Sequence, residues 1–372
     1  QSNIHFALTM KLSNTQYTVV AIICVAITCV CLFAFSGRLS WQERIQPAVI
    51  TEKVIGDSDD PAIWINYADP ANSWVLGTDK DKLNGGIYVF DLSGNINKQK
   101  SIFGLKRVNN IDVLQGVNWG HGTMDIAVAT ERDTHEIRVL ELPYMKFIDA
   151  GGIDVFEGEV ERDPMGIALY KRPTDGAVFA IVSRKAGPSG SYLWQYRLTL
   201  DAMGVVRANL IRKFGTFSGR KEIESVAIDT LFSHVYYADE QAGIRQYHAD
   251  PDKGNEELSI FGSGDFADDN EGISFYHLTD TSGYILVSDQ GANQFKVYSL
   301  ESKNGALHEH PLLATLPVMA LESDGSEGTT FSLPGYESGL FVAMSTDKTF
   351  HYYRWQDFVK YSDGKLQARK TN

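Results

Sequence analysis

One plan recurs six times along the chain, and that recurrence limits the fold more than any other feature. In the first unit, Asp59 and Asp60 stand directly before Pro61 and the apolar run 62–65. A second strand, 74–77, leads into Thr78-Asp79-Lys80, and a third, 86–91, follows a glycine-containing turn. Five further units keep this order of three short strands. They run through 109–112, 124–130 and 136–142; 165–170, 177–183 and 192–198; 224–228, 234–238 and 243–247; 271–276, 283–288 and 294–300; and 328–333, 339–344 and 349–355. The period is on the order of 50 residues, within the range of propeller blades.

A sheet of this size cannot bury both faces alone, so neighbours must stack. Radial stacking closes the stack and leaves only short protected edges. The expected fold is therefore all-β, a six-bladed β-propeller. A two-sheet sandwich accommodates six equivalent units poorly. The 33 glycines, 17 tyrosines and 19 phenylalanines, and the lack of any long amphipathic pattern, agree with many short strands and tight turns.

The expected organisation is an N-terminal extension with signal peptide or membrane anchor over 1–37, a linker over 38–50, a propeller over 51–360 and a C-terminal tail over 361–372. The segment 19–35 is apolar or small, preceded by Met10-Lys11 and followed by Arg38. It is long for the core of a secretory signal and short for a comfortable membrane span. It reads as an export signal starting at Met10, with an uncleaved single-pass anchor as the alternative. The domain is then secreted or periplasmic, or anchored facing outside the cytoplasm. All three cysteines, Cys24, Cys29 and Cys31, lie in that segment. A disulfide framework and any thiolate metal or nucleophile site are thereby excluded from the folded domain.

The net charge of −13 opposes binding of nucleic acid. There is no G-x-S-x-G elbow, no P-loop and no H-E-x-x-H. The nine histidines are scattered and read as surface or packing residues.

In a propeller the first strand of every blade lines the central channel, so one end of each strand converges on the axis. A carboxylate or carboxamide stands at that point in nearly every unit. These are Asp59 and Asp60; Asn109, Asn110 and Asp112; Glu224; Asp269 and Glu271; Asp324 and Glu327. Singly, each is an ordinary turn residue in water. Gathered on one axis, they need cations to offset their repulsion. Oxygen ligands of this kind suit Ca²⁺ or Mg²⁺ rather than zinc, and the flexible coordination of Ca²⁺ suits a site built from loops. The end of the second strand forms another recurrent point, with Lys80, Arg132 and Lys185 in three units and Glu240 and Gln290 in two others. Cations beside a cluster of metal ligands make a clamp for phosphate. The plain alternative is a set of surface ion pairs, each worth little.

These residues resemble the β-propeller phytases, calcium-dependent phosphatases that act on myo-inositol hexakisphosphate (phytate). The likeness covers 50–358 and touches every unit. Its most specific part is Asp59-Asp60-Pro61-Ala62-Ile63-Trp64 followed by Thr78-Asp79-Lys80. Asn109-Asn110-Ile111-Asp112 with Arg132, Glu224, Asp269-Asn270-Glu271-Gly272 and Gln290-Gly291 add to it. The resemblance implies that Asp59, with Asp60 beside it, binds calcium at the catalytic centre. It implies that Lys80, Arg132 and Lys185 hold substrate phosphates. Glu224, Asp269, Glu271 and Gln290 would ligate a calcium cluster, with Asn110, Glu240, Asp324 and Glu327 as further ligands. Asp59, Lys80, Arg132, Glu224, Asp269 and Glu271 would form the catalytic set. The stretch 321–330 is shorter than the family pattern, and Met165 stands where a tyrosine is common.

The expected activity is that of a 3-phytase using several Ca²⁺ ions and metal-activated water. Its substrate would be phytate, as the calcium salt, and its product inorganic phosphate. No nucleic-acid partner is expected, membrane contact only through the possible anchor, and a monomer. A calcium-dependent propeller lactonase or esterase is one rival, and Lys80, Arg132 and Lys185 count against it. A non-catalytic binding scaffold is the other.

Overall fold

The structure is a computed structural model that describes residues 44–120, 122–301 and 308–370. The extension 1–37 with its apolar segment, its cysteines, and His121 all lie outside the described residues. Among the described residues no helix is long and apolar enough to cross a membrane.

Six antiparallel sheets follow one another along the chain. The first blade comprises Ser58–Trp64, Trp74–Asp79, Gly85–Phe90 and Ile102–Leu105. The second has Val108–Asn118, Thr123–Glu131 and Glu136–Leu142, edged by Lys146–Phe147 and Ile153–Asp154. The third has Pro164–Lys171, Val178–Arg184, Leu193–Leu200 and Val206–Phe214. The fourth has Val226–Asp229, His234–Asp239, Gly243–His248 and Glu257–Phe261. The fifth has Asn270–Thr279, Ser282–Asp289, Gln294–Ser299 and Leu312–Pro317. The sixth has Ser326–Thr329, Leu340–Ser345 and Thr349–Arg354, and its outer strand is Val49–Ile50 from the other end of the domain. First strands of successive blades touch, and that of the sixth touches that of the first. The fold is a six-bladed β-propeller, as the repeats imply.

The packing explains which strands are visible in sequence. Six apolar clusters each sit between two neighbouring blades. A second strand such as Val178–Arg184 is therefore buried on both faces along its whole length, and 178–182 read as a continuous apolar run. Fourth strands sit at the rim. Val206–Phe214 is mostly exposed or half-buried and carries Arg207, Arg212 and Lys213, so blades read as three strands are four. The inner strand of blade six, expected over 328–333, is Ser326–Thr329.

Residues 45–50, expected to be linker, seal the ring. Val49 pairs with Tyr352 and Ile50 with His351, and the Ile45 amide donates to the Pro317 carbonyl at 2.8 Å. A ring built in sequence order needs such a strand to join its ends. The expected tail also packs. A helix, Trp355–Tyr361, stacks Trp355 on Tyr276 at 3.6 Å between ring centroids. Beyond it Leu366 is buried, and the Arg369 amide donates to the Tyr276 hydroxyl at 2.9 Å.

Candidate active site

One backbone hydrogen bond recurs in all six blades at the same end. The amides of Lys80, Arg132, Lys185, Glu240, Gln290 and Thr346 donate to the carbonyls of Asp57, Arg107, Asp163, Glu222, Asp269 and Leu321, at 2.7–3.1 Å. These pairs mark six equivalent corners around one mouth of the channel. A hydroxyl two residues earlier ties neighbouring blades there. Thr78, Thr130, Ser183 and Ser288 donate to the carbonyls of Asn109, Met165, Glu224 and Ser323 respectively. The carbonyl of Met165 is thus engaged within the protein.

Directly before the corner stands a buried acid in four blades, and its work is structural. Asp79 accepts from the amides of Gly56 and Asp57, both at 2.8 Å. Glu131 accepts from Lys106, Asp239 from Ser218 and Asp289 from Ala267. Each fixes the approach segment of its own blade.

The inner strands break register just where the candidate acids lie. Pairing skips between Ser58 and Pro61, between Val108 and Ile111, between Pro164 and Ile167 and between Asn270 and Ile273. The skipped residues are Asp59 and Asp60, Asn109 and Asn110, Met165 and Gly166, Glu271 and Gly272. A bulge frees two residues from the ladder and re-aims their side chains. Consecutive residues thereby serve two places, the mouth and the channel.

At the mouth, Lys80 Nζ lies 2.6 Å from Asp59 Oδ1 and 2.6 Å from Asp324 Oδ2. Burial opposes the charge of Lys80, yet Asp59, Asp324 and Glu224 hold its ammonium well above the usual lysine range. Asn109, buried, donates one amide to both Asp59 and Glu224, at 3.2 and 3.1 Å. Gln290 donates to Asp324 at 2.6 Å. Two triads of buried carboxylates follow, each with ligand oxygens within 4.8 Å of one another: Glu222, Glu224 and Glu240, then Glu240, Asp269 and Glu271. Glu240 belongs to both. Lys185 pairs with Glu222, and Lys221 pairs with Asp269 and lies 3.0 Å from Glu240. Glu222 and Lys221 escaped the sequence reading because neither sits at the strand start. Arg132, itself buried, has its Nε 3.7 Å from the more exposed carboxylate of Asp163.

The acids hold their protons more tightly than usual here. Burial, and then Asp59, raise Glu224 well above the usual range; burial, and then Asp324, do the same to Glu271. Burial raises Asp324 and brings Glu240 to about 8, with Glu222 adding to the latter.

Asp60, Asn110, Asp112 and Glu327 lie elsewhere, lining a channel cavity of about 500 Å³. Asp60 accepts from the Ile111 amide at 3.0 Å and Asp112 from the Leu169 amide at 2.6 Å. Burial lifts Asp60 well above its ordinary value, Asp112 to about 6 and Glu327 to about 8. The structure therefore separates Asp60, Asn110 and Glu327 from the cluster that gathers Asp59, Lys80, Lys185, Glu224, Glu240, Asp269, Glu271, Gln290 and Asp324.

The mouth fits a hard divalent cation. Its donors are carboxylate and amide oxygens. Asn109 Oδ1, Glu240 Oε1 and Glu271 Oε2 are buried and accept no hydrogen bond, which is costly unless something positive meets them.

The sequence model of the family described as Phytase matches residues 13–352. The chain belongs to the phytase family. A 3-phytase of Bacillus subtilis (strain 168) is 25% identical over 330 residues, covering 82% of this chain and 81% of that protein. This phytase also overlaps solved structures at low identity. The structure of the Dos1 propeller is 13% identical with TM-score 0.42, over 80% of this chain and 68% of that one. Kuenenia stuttgartiensis hydrazine synthase is 12% identical with TM-score 0.47, over 79% and 83%. Likeness of that degree bears on no activity.

Proposed function

We propose that the mouth is a calcium-dependent centre that hydrolyses phosphomonoesters of phytate and releases inorganic phosphate. Family membership supports the reaction. The observation that carries the metal and the residues is Glu240, shared by two buried carboxylate triads with lysines at their edges. Ca²⁺ bound by Asp59, Glu222, Glu224, Glu240, Asp269, Glu271 and Asp324 would neutralise phosphate oxygens and activate water for attack at phosphorus.

The chain's own residues do the rest. Lys80 holds the phosphate to be cleaved and meets the charge that grows in the transition state. Lys185 and Arg132 grip other phosphates of the same substrate. Asn109 keeps Asp59 and Glu224 at fixed separation through its two hydrogen bonds. Glu224 or Asp269 orients the attacking water. With acids so concentrated, the calcium salt of phytate is the form best matched to the mouth. Asp60, Asn110 and Glu327 would ligate metal only from the channel side.

A closed ring needs no partner to cover its edges, which supports a monomer. The apolar composition of 19–35 supports export, or anchoring outside the cytoplasm.

The test is phosphate release from phytate by the wild type with calcium, after chelation, and by Lys80→Ala with calcium. Release should need calcium, and Lys80→Ala should lower kcat roughly 10²–10³-fold. A folded wild type silent at every calcium level, or one active in chelator, contradicts the proposal.

A further inference from the structure

The six equivalent corners are unequal in charge. Lys80, Arg132 and Lys185 occupy those of the first three blades, whereas Glu240, Gln290 and Thr346 occupy the others. On corner residues alone, half of the mouth has no cation for a polyanion that carries phosphate all round a ring.

Lys221 lies on that half. It comes from the approach segment of blade four, one residue before the Glu222 corner, and not from the end of a second strand. Its ammonium meets Asp269 directly and lies 3.0 Å from Glu240 and 4.0 Å from Glu271. Those three acids are the second buried triad. The side chain of Lys221 is 38% exposed and theirs are 9%, 0% and 5% exposed. The ammonium therefore reaches the triad from the solvent side, where substrate must also arrive. A lysine is a point charge on a flexible stem and can change partners without backbone movement. A divalent cation in the triad would repel it toward the substrate.

We propose that Lys221 is a fourth phosphate-binding cation, which leaves the Glu240–Asp269–Glu271 triad for a substrate phosphate when a divalent cation takes its place. It extends the arc of cations from the first three blades into the fourth and favours substrates with several neighbouring phosphates over monophosphates. Until then it competes with metal for the triad. This rests on the calcium-dependent reading above.

The experiment compares wild type, Lys221→Met and Lys221→Arg. KM and kcat are measured on phytate and on p-nitrophenyl phosphate at saturating calcium, and calcium is titrated calorimetrically without substrate. In Lys221→Met, KM for phytate should rise roughly tenfold more than KM for p-nitrophenyl phosphate, the worth of one charged contact. Lys221→Arg should recover most of that selectivity. Without substrate, Lys221→Met should bind calcium more tightly, because the internal competitor is gone. A lysine that only balances charge would lower Tm and leave the selectivity unchanged, which overturns the proposal. So does weaker calcium binding in Lys221→Met. A folded wild type that releases no phosphate instead overturns the calcium-dependent reading, and the role of Lys221 with it.

Discussion

Asp59 and Asp60 are neighbours in sequence and face different compartments, one meeting Lys80 at the mouth and the other the channel with Glu327 and Asp112. The difference matters for how each responds to pH. Glu240 and Glu327 are raised to about 8, and Glu224, Glu271 and Asp324 are raised as well, all chiefly by burial. A carboxyl raised in the folded state gives stability that is complete below its unfolded value and lost as pH climbs through its folded one. Without divalent cations the protein should therefore lose stability from the ordinary carboxylate range up to about pH 8, so that it is weaker at about pH 8 than at about pH 7. Calcium binds the charged carboxylates, so the Tm gain it confers should be larger at the higher pH. Thermal unfolding with and without calcium at both values checks this; equal gains would mean that these acids are not where calcium binds. Histidines do not confuse that window. Burial lowers His234 to about 4, and its contribution is lost only as pH falls below the usual imidazole range.

Among the elements, the bulged starts of the inner strands decide where the acids point, and sequence carries little trace of them. The apolar runs of the second strands were legible because stacking buries both faces, and Thr78-Asp79-Lys80 was legible as a corner. The reading of Asp59, Lys80, Glu224, Asp269 and Glu271 as one site follows from those two patterns. What was illegible depends on geometry: rim strands lack an apolar pattern, Glu327 lies inside a strand and so faces the channel, and Lys221 reaches the mouth from an approach loop. His234, His248, His308 and His310, scattered in sequence, gather around Gln246 and Tyr236 at the rim of blades four and five. The bulge in blade three also suggests a test. A Cβ on Gly166 would collide with the Glu224 carbonyl oxygen, a backbone atom that cannot swing aside. Gly166→Ala should displace Glu224 and lower phosphate release roughly 10- to 100-fold in a protein that still folds. Full activity would show that the placement of Glu224 is not critical.

For the whole molecule, ring closure brings residues from all six blades to one mouth, though Asp59 and Asp324 are 265 positions apart by their numbers. Val49–Ile50 holds the two ends of the domain together, so the mouth has the geometry of the ring and not of any one blade. A chain of net charge −13 that also crowds buried acids at the mouth repels a polyanion until cations intervene. Glu240, common to both triads, is the point at which that account is most exposed. The measurement that reaches it most directly is a calorimetric calcium titration of the wild type and of Glu240→Gln, without substrate. The account predicts that this one substitution weakens or abolishes more than one binding event, because one carboxylate serves two positions. Loss of a single event with all others unchanged, or a titration identical to that of the wild type, would contradict it.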